Sequence, residues 1–264
     1  MNKFFAFAAI AAFAITVVIS GCGEKKESSL VQDQSFENVK KAGVLVMGHM
    51  GDFPPMVFTD KDGKTVGFDV DLAKEVCSRL GLKLKMQTIS WADKEKVLYD
   101  GNIDCVWNGM SVDSTRAAAM NLSEPYLTNR MVFTVKNKTL NSLDSLKGKK
   151  IGVQNASTAR VLLEESEVRK NVKEVVVFEG VSQAFDAMEQ DSVDALFMDE
   201  IAAKYWNVAN NKDYAILEEN LADEFYAVGF RKTDKALRDT INAVLSSMKK
   251  DGKFVDITVK WFGK

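Results

Sequence analysis

The segment IDCVWNGMSVDSTR, residues 103–116, ends a short apolar run in groups suited to holding a carboxylate. Arg116 offers a planar, permanently charged donor fork. Ser111 offers a backbone N–H and a hydroxyl, and Gly109 a carbonyl that a ligand can approach without meeting a side chain. Asp199 follows a second apolar run, residues 193–198, and brings the opposite charge. A carboxylate grip and an ammonium partner match the two ends of a free α-amino acid, with Trp91 and Phe53 as aromatic walls. Each group also has an ordinary use. An arginine near a helix start is commonly solvated, and Asp199 is placed to cap a helix over residues 200–208. Trp91 and Phe53 suit a core, and Met50 and Met198 suit gap filling. Only joint placement at strand ends favours binding.

The elements that would position them alternate along the chain. GVLVMGH (43–49) reads as a strand and KDGK (61–64) as a turn. In FDVDLAKEVCSRLG (68–81) the apolar Val70, Ala73, Val76, Cys77 and Leu80 recur at helical spacing, and Gly81 is a stop signal. LKLKMQTI alternates as a strand, residues 92–100 read as a helix, and 103–107 as the next strand. The pattern restarts after Pro125-Tyr126. Residues 149–154 read as a strand, 157–168 as a helix, 172–178 as a strand, 181–190 as a helix and 193–198 as a strand. Repeated βαβ units predict an α/β protein with parallel sheets flanked by helices. GNIDCVWN and DSVDALFM echo each other, each placing Ile or Val and Asp before an apolar strand. Two related lobes follow from that echo. Ligands of open α/β sheets bind beyond the carboxyl ends of strands, so facing lobes would form a cleft at Gly109–Ser111 and Asp199.

The chain's start reads as an export signal. Lys3 precedes a sixteen-residue apolar run, 4–19, and Ser20-Gly21-Cys22 follow. The run is short of the roughly 20 residues a membrane span needs. ISGC resembles a bacterial lipobox, which makes residues 1–21 the signal peptide and Cys22 the lipid-bearing residue. Residues 22–35 are polar, lack periodicity and read as a tether. Removing the leader takes away Lys3 and no acid, leaving 34 basic residues against 37 acidic. No basic cluster suggests nucleic acid. Cys77 and Cys105 are either a disulfide or two buried thiols. With His49 the single histidine, a zinc site or a His-based triad has little support. No metal or cofactor is expected.

At these residues the chain resembles the bacterial extracytoplasmic amino-acid-binding proteins of ABC importers, solute-binding protein family 3. The resemblance runs from about residue 43 to 263. DFPPMVF, GFDVDLA, LYDGNIDCVWNGMSVDSTR, SEPY, GKKIGVQNAST, VDALFMD and KWFG occur in the expected order. It implies the two-lobed type II periplasmic-binding-protein fold, each lobe a mostly parallel sheet flanked by helices, with the ligand cleft between lobes. Residues 36–130 plus 227–264 would form lobe 1 and 131–226 lobe 2, joined by two crossover strands and closing by hinge motion. By the same resemblance, Phe53 and Trp91 are the aromatic walls, and Gly109, Ser111 and Arg116 the segment gripping ammonium and carboxylate. Ser157 and Thr158 are second-lobe carboxylate contacts, and Asp199 is the ammonium partner. A free amino acid and a membrane permease are the implied partners. The lipid is the only membrane anchor expected, and a monomer the expected state.

Departures from the family pattern narrow the ligand. The usual GTT or GTS appears as Ala156-Ser157-Thr158. Asp113 replaces a frequent threonine, placing a carboxylate beside Arg116 that either aligns or partly neutralises it. Met50 occupies the place of an acidic side-chain contact in several relatives. Met198 is another pocket position, and Gln154 is the main uncharged polar candidate. A basic ligand would lack an acidic partner for its terminal cation, which is costly when buried, and an acidic ligand would lack a second cation. A neutral amino acid is therefore expected. Two rivals stand beside transport. A cyclohexadienyl-dehydratase-like enzyme would need a placed acid to protonate a leaving hydroxyl. A ligand-sensing module would have to act through a separate receptor.

Overall fold

The computed structural model describes residues 33–263. The expected signal peptide, Cys22 and the tether as far as residue 32 lie outside the described residues. The last tether residues, 33–35, are bonded to the fold. Asp33 accepts the Ser35 N–H at 2.8 Å and the Ala236 N–H at 2.6 Å, and the Ser35 hydroxyl accepts the Leu237 N–H.

Two five-stranded sheets organise the chain, each belonging to one lobe. In the first, Val44–His49 lies between Lys83–Thr88 and Cys105–Val106, all parallel. Gly229–Phe230 and Asn121–Leu122 then extend it antiparallel. In the second, Lys150–Gln154 lies between Glu174–Phe178 and Ala195–Asp199, again parallel. Leu127–Val135 and Ala215–Tyr226 complete it antiparallel. Both sheets are thus mixed, with a parallel half built from the βαβ repeats and an antiparallel half. The chain passes between the lobes along Leu127–Val135 and returns along Ala215–Tyr226. These two strands pair with each other from Leu127 opposite Tyr226 to Val135 opposite Ala215. A bridge from Ser111 to Tyr226 fastens the first lobe to them.

Local chemistry explains the elements that reach the cleft. Phe68–Leu80 is helical, buries Val70, Ala73, Val76 and Cys77 on one stripe, and ends at Gly81, whose left-handed φ of 68° suits glycine. The segment expected to be one helix over 92–100 divides into a 3₁₀ turn, Trp91–Asp93, and a short α-helix, Lys94–Tyr99. The expected strand 103–107 shortens to Cys105–Val106 because residues 107–113 bend towards the cleft. The helix expected over 157–168 stops at Glu165, followed by a 3₁₀ turn, Val168–Lys170.

Two further features were not foreseen from the pattern. A small sheet pairs Asp52–Phe53, Val57–Thr59 and Thr65–Val66. Two C-terminal helices, Lys235–Lys250 and Lys253–Phe262, pack on Phe68–Leu80. The first of them buries Leu237, Ile241, Leu245 and Met248, and each fully buried side chain of that kind contributes about 1.5–3 kcal/mol. Cys77 and Cys105 are free buried thiols, and burial pushes Cys77 up to about 11. Among the described residues no helix is long and apolar enough to cross a membrane.

Candidate functional site

The two lobes meet around a tight cavity with about 20 Å³ of open space. Its wall includes Met50, Phe53, Trp91, Gly109, Ser111 and Arg116 from the first lobe, and Gln154, Ser157, Thr158 and Asp199 from the second. Met198 is the exception among the expected site residues. Successive strand side chains point to opposite faces, so with Asp199 in the wall Met198 turns behind it, towards Val181 and Ala184. Met131, the register partner of Asp199, takes the place in the wall.

Arg116 is only 5% exposed. Its Nη1 donates to the Ser111 carbonyl at 2.9 Å, and its guanidinium lies 5.7 Å from the Trp91 ring centre. Asp113 both starts and steers this element. Its Oδ1 accepts the Arg116 N–H at 2.7 Å, capping the helix Ser114–Ala119, while Oδ2 lies 3.4 Å from Arg116 Nε. The same Oδ2 accepts the Thr158 hydroxyl across the cleft at 3.3 Å. Gly109 adopts a left-handed φ of 55°, and a Cβ there would also sit 2.6 Å from Phe53, so both the backbone and the space call for glycine. Its N–H donates to buried Asp69 at 2.6 Å, and the Tyr126 hydroxyl donates to both Asp69 oxygens. Burial pushes Asp69 up to about 7.

On the opposite wall, Asp199 occupies the N-terminal cap position of the helix Glu200–Ala209, yet its side chain does not cap. The Asn129 amide oxygen accepts the Ile201 N–H instead. Asp199 Oδ1 accepts from Asn129 Nδ2 at 2.8 Å and from the Tyr226 hydroxyl. Burial raises its pKa against the lowering effect of the Tyr226 bond. The Ser157 hydroxyl donates to the Gln154 carbonyl at 2.8 Å and accepts the Arg160 N–H, so it caps the helix Thr158–Glu165. Gln154 Nε2 lies 3.0 Å from Met50 Sδ, joining the lobes across the cavity. Asp52 joins them again, accepting the Ser182 N–H and hydroxyl at 3.1 and 2.6 Å.

A cleft between two mixed sheets, with a fixed cation on one wall and a fixed carboxylate on the other, agrees with the family comparison. The model of the bacterial extracellular solute-binding proteins, family 3, matches residues 45–264. The chain belongs to this family. The L-cystine-binding protein of Escherichia coli is 28% identical over 240 residues, spanning 89% of this chain and 88% of that one. A histidine-bound substrate-binding protein of an ABC uptake transporter from Streptococcus pneumoniae superposes with a TM-score of 0.85. It is 32% identical and spans 88% of this chain and 97% of that one. An ancestral amino-acid-binding protein, a precursor of cyclohexadienyl dehydratase, superposes with a TM-score of 0.80 at 28% identity, spanning 86% and 99%. Relatives of this solute-binding protein therefore bind amino acids of different side-chain chemistry.

Several residues around the cleft were not singled out as site residues from the sequence. Asn108, beside Gly109, lines the cavity and accepts the Met50 N–H at 3.1 Å. Lys94 is a second buried cation, its amine 5.0 Å from the Trp91 ring centre. It lines a neighbouring cavity with Asp113 and Glu165, which shares Arg116, Ser157 and Thr158 with the first. Burial lowers its pKa, with Arg116 adding to the effect. Glu224 is a second buried acid behind the wall, accepting the Ser111 hydroxyl at 3.0 Å. Adjacency to Gly109 marks Asn108 as a candidate. Nothing local marks Lys94 or Glu224, whose neighbours arrive from other parts of the chain.

Proposed function

We propose that this solute-binding protein captures a neutral L-amino acid between its lobes and delivers it to the permease of an ABC importer, without a catalytic step. The observation that carries the reading is the pair Arg116 and Asp199. Both are buried in the wall of one small cavity, and each is held by other protein groups. Arg116 would receive the ligand carboxylate, helped by backbone N–H groups at Ser111 and Thr158, since the Ser157 hydroxyl is engaged in its cap. Asp199 would receive the ammonium. Phe53 and Trp91 would cover the ligand, and Met50, Met131 and Gln154 would meet its side chain. Neither Lys94 nor Glu224 lines the cavity, which supports a ligand without side-chain charge.

Closure stabilises the ligand because only the closed form engages both walls. In this reading residues 36–130 plus 227–264 and residues 131–226 move as the two lobes about the crossing strands. Export through residues 1–21 and lipid attachment at Cys22 would hold a monomer on the outer side of a membrane, tethered within reach of the permease. Intact-mass measurement of membrane-extracted protein tests the anchor; an unmodified first residue refutes it. Calorimetric titration with the common L-amino acids tests the ligand class. A neutral amino acid is expected to bind tightest, and preferential binding of lysine, arginine or glutamate would overturn the pocket argument.

A further inference from the structure

Glu224 stands on Ala215–Tyr226 directly opposite Asn129 and is 6% exposed. Its Oε2 accepts from the Ser111 hydroxyl at 3.0 Å and from Asn129 Nδ2 at 3.3 Å. Its Oε1 is buried with no hydrogen-bond partner among the described residues. The same Asn129 nitrogen donates to Asp199 Oδ1 at 2.8 Å. Two buried carboxylates therefore share one amide nitrogen. The groups facing them are Ser111, Asn129, the Tyr226 hydroxyl and the Arg116 charge, and Arg116 also faces Asp113. Two full negative charges in that space are costly, because like charges in a desolvated site oppose each other's ionisation. Burial raises both groups, and the Asp199 charge raises Glu224 further. One proton removes the excess charge and makes a carboxyl oxygen a donor.

We propose that the Glu224–Asp199 pair holds one proton in the empty cleft and releases it as a ligand ammonium seats against Asp199, making Glu224 a positioning residue that links capture to proton release. The inference rests on the amino-acid reading above. The balance is simple: the ligand brings one positive charge to the pair, and the pair loses one proton to the buffer. No bond in the ligand changes. The bound state holds fewer protons than the empty one. Affinity must therefore rise with pH wherever the empty pair keeps its proton, by at most about tenfold per pH unit.

The test is calorimetry of the protein with the twenty common L-amino acids and L-cystine, in phosphate and in Tris at the same neutral pH. A proton released to the buffer makes the observed heat depend on the buffer's ionisation enthalpy. For a ligand without a titratable side chain, release of up to about one proton is expected, and Glu224→Gln, which keeps the size and can donate a hydrogen bond, should bind with release near zero. Heat that is the same in both buffers overturns the inference alone, as does release that persists in Glu224→Gln. No heat with any of these compounds overturns the amino-acid reading and the inference with it. Affinity of the unaltered protein at about pH 6, 7 and 8 gives a second readout independent of any variant. A rise with pH supports the linkage, and a flat profile refutes it.

Discussion

The two lobes solve one construction problem twice and then part company. In the first, Asp104 accepts the Val46 N–H at 2.8 Å and returns its own N–H to the Val46 carbonyl at 2.8 Å. In the second, Asp194 accepts the Lys150 N–H at 2.8 Å and returns its N–H to the Lys150 carbonyl at 2.9 Å. Each aspartate therefore brackets the middle strand of its sheet's parallel half from just before the third parallel strand. Each lobe also turns towards the cleft at a left-handed residue, Gly109 with φ 55° and Ala156 with φ 51°. Beyond the strands the likeness ends. The first lobe inserts a turn and a short capped helix that carry Arg116. The second runs straight into Glu200–Ala209, leaving Asp199 at its start. A repeated scaffold with unlike strand ends presents opposite charges across one cavity.

The largest effect expected from breaking that asymmetry is on binding. Arg116→Ala removes the buried charged partner of the ligand carboxylate and should cost about 2–5 kcal/mol, with Asp199→Asn weakening affinity from the other wall. Titration calorimetry reads both, and unchanged affinity in either variant would show that the grip has one end only. Gly109→Ala should come next. A left-handed alanine costs about 1–2 kcal/mol, and crowding against Phe53 adds about 1–3 kcal/mol. Urea unfolding measures it, and a loss below about 0.5 kcal/mol would show that the turn is not constrained as described.

The shared scaffold makes a finer claim. Asp104→Ala and Asp194→Ala each remove one charge-assisted bond to backbone and one ion pair, to Arg231 and Lys149 respectively, on a partly buried residue, so each should lower stability by about 1–3 kcal/mol. Denaturant midpoints that differ widely between the two would reduce the likeness to coincidence. The smallest expected change has the opposite sign. Ala156→Gly relieves a left-handed alanine but adds unfolded-chain entropy worth about 0.4–1 kcal/mol. A net gain below about 1 kcal/mol should remain, seen as a small rise in melting temperature, and a clear fall would contradict the strain at Ala156.

The parts legible in the sequence share a local cause. The helix Phe68–Leu80 follows from its apolar spacing and the glycine after it. Ile103-Asp104 and Val193-Asp194 announced two equivalent strands because the bracket each makes depends on the residue's place in its own strand. The missing glycine at residue 156 was visible as a departure, and the backbone shows that alanine adopts the turn regardless. The crossing strands were harder, since Ala215–Tyr226 pairs with a strand about 90 residues earlier and carries two register shifts. Lys94 carried no local signal, because its burial depends on Trp91 packing against it.

By itself, the sequence determined the alternation of strands and helices, the echo between halves, and the charge types placed beyond the strand ends. Those depend on periodicity and on residue chemistry, which are local. Only the tertiary structure decided which of those charges share a cavity, that Met131 and not Met198 forms its wall, and that Glu224 stands behind it. Strand register sets which side chains face the ligand space, and burial sets what an acid is worth there. Neither quantity exists until distant segments are packed together.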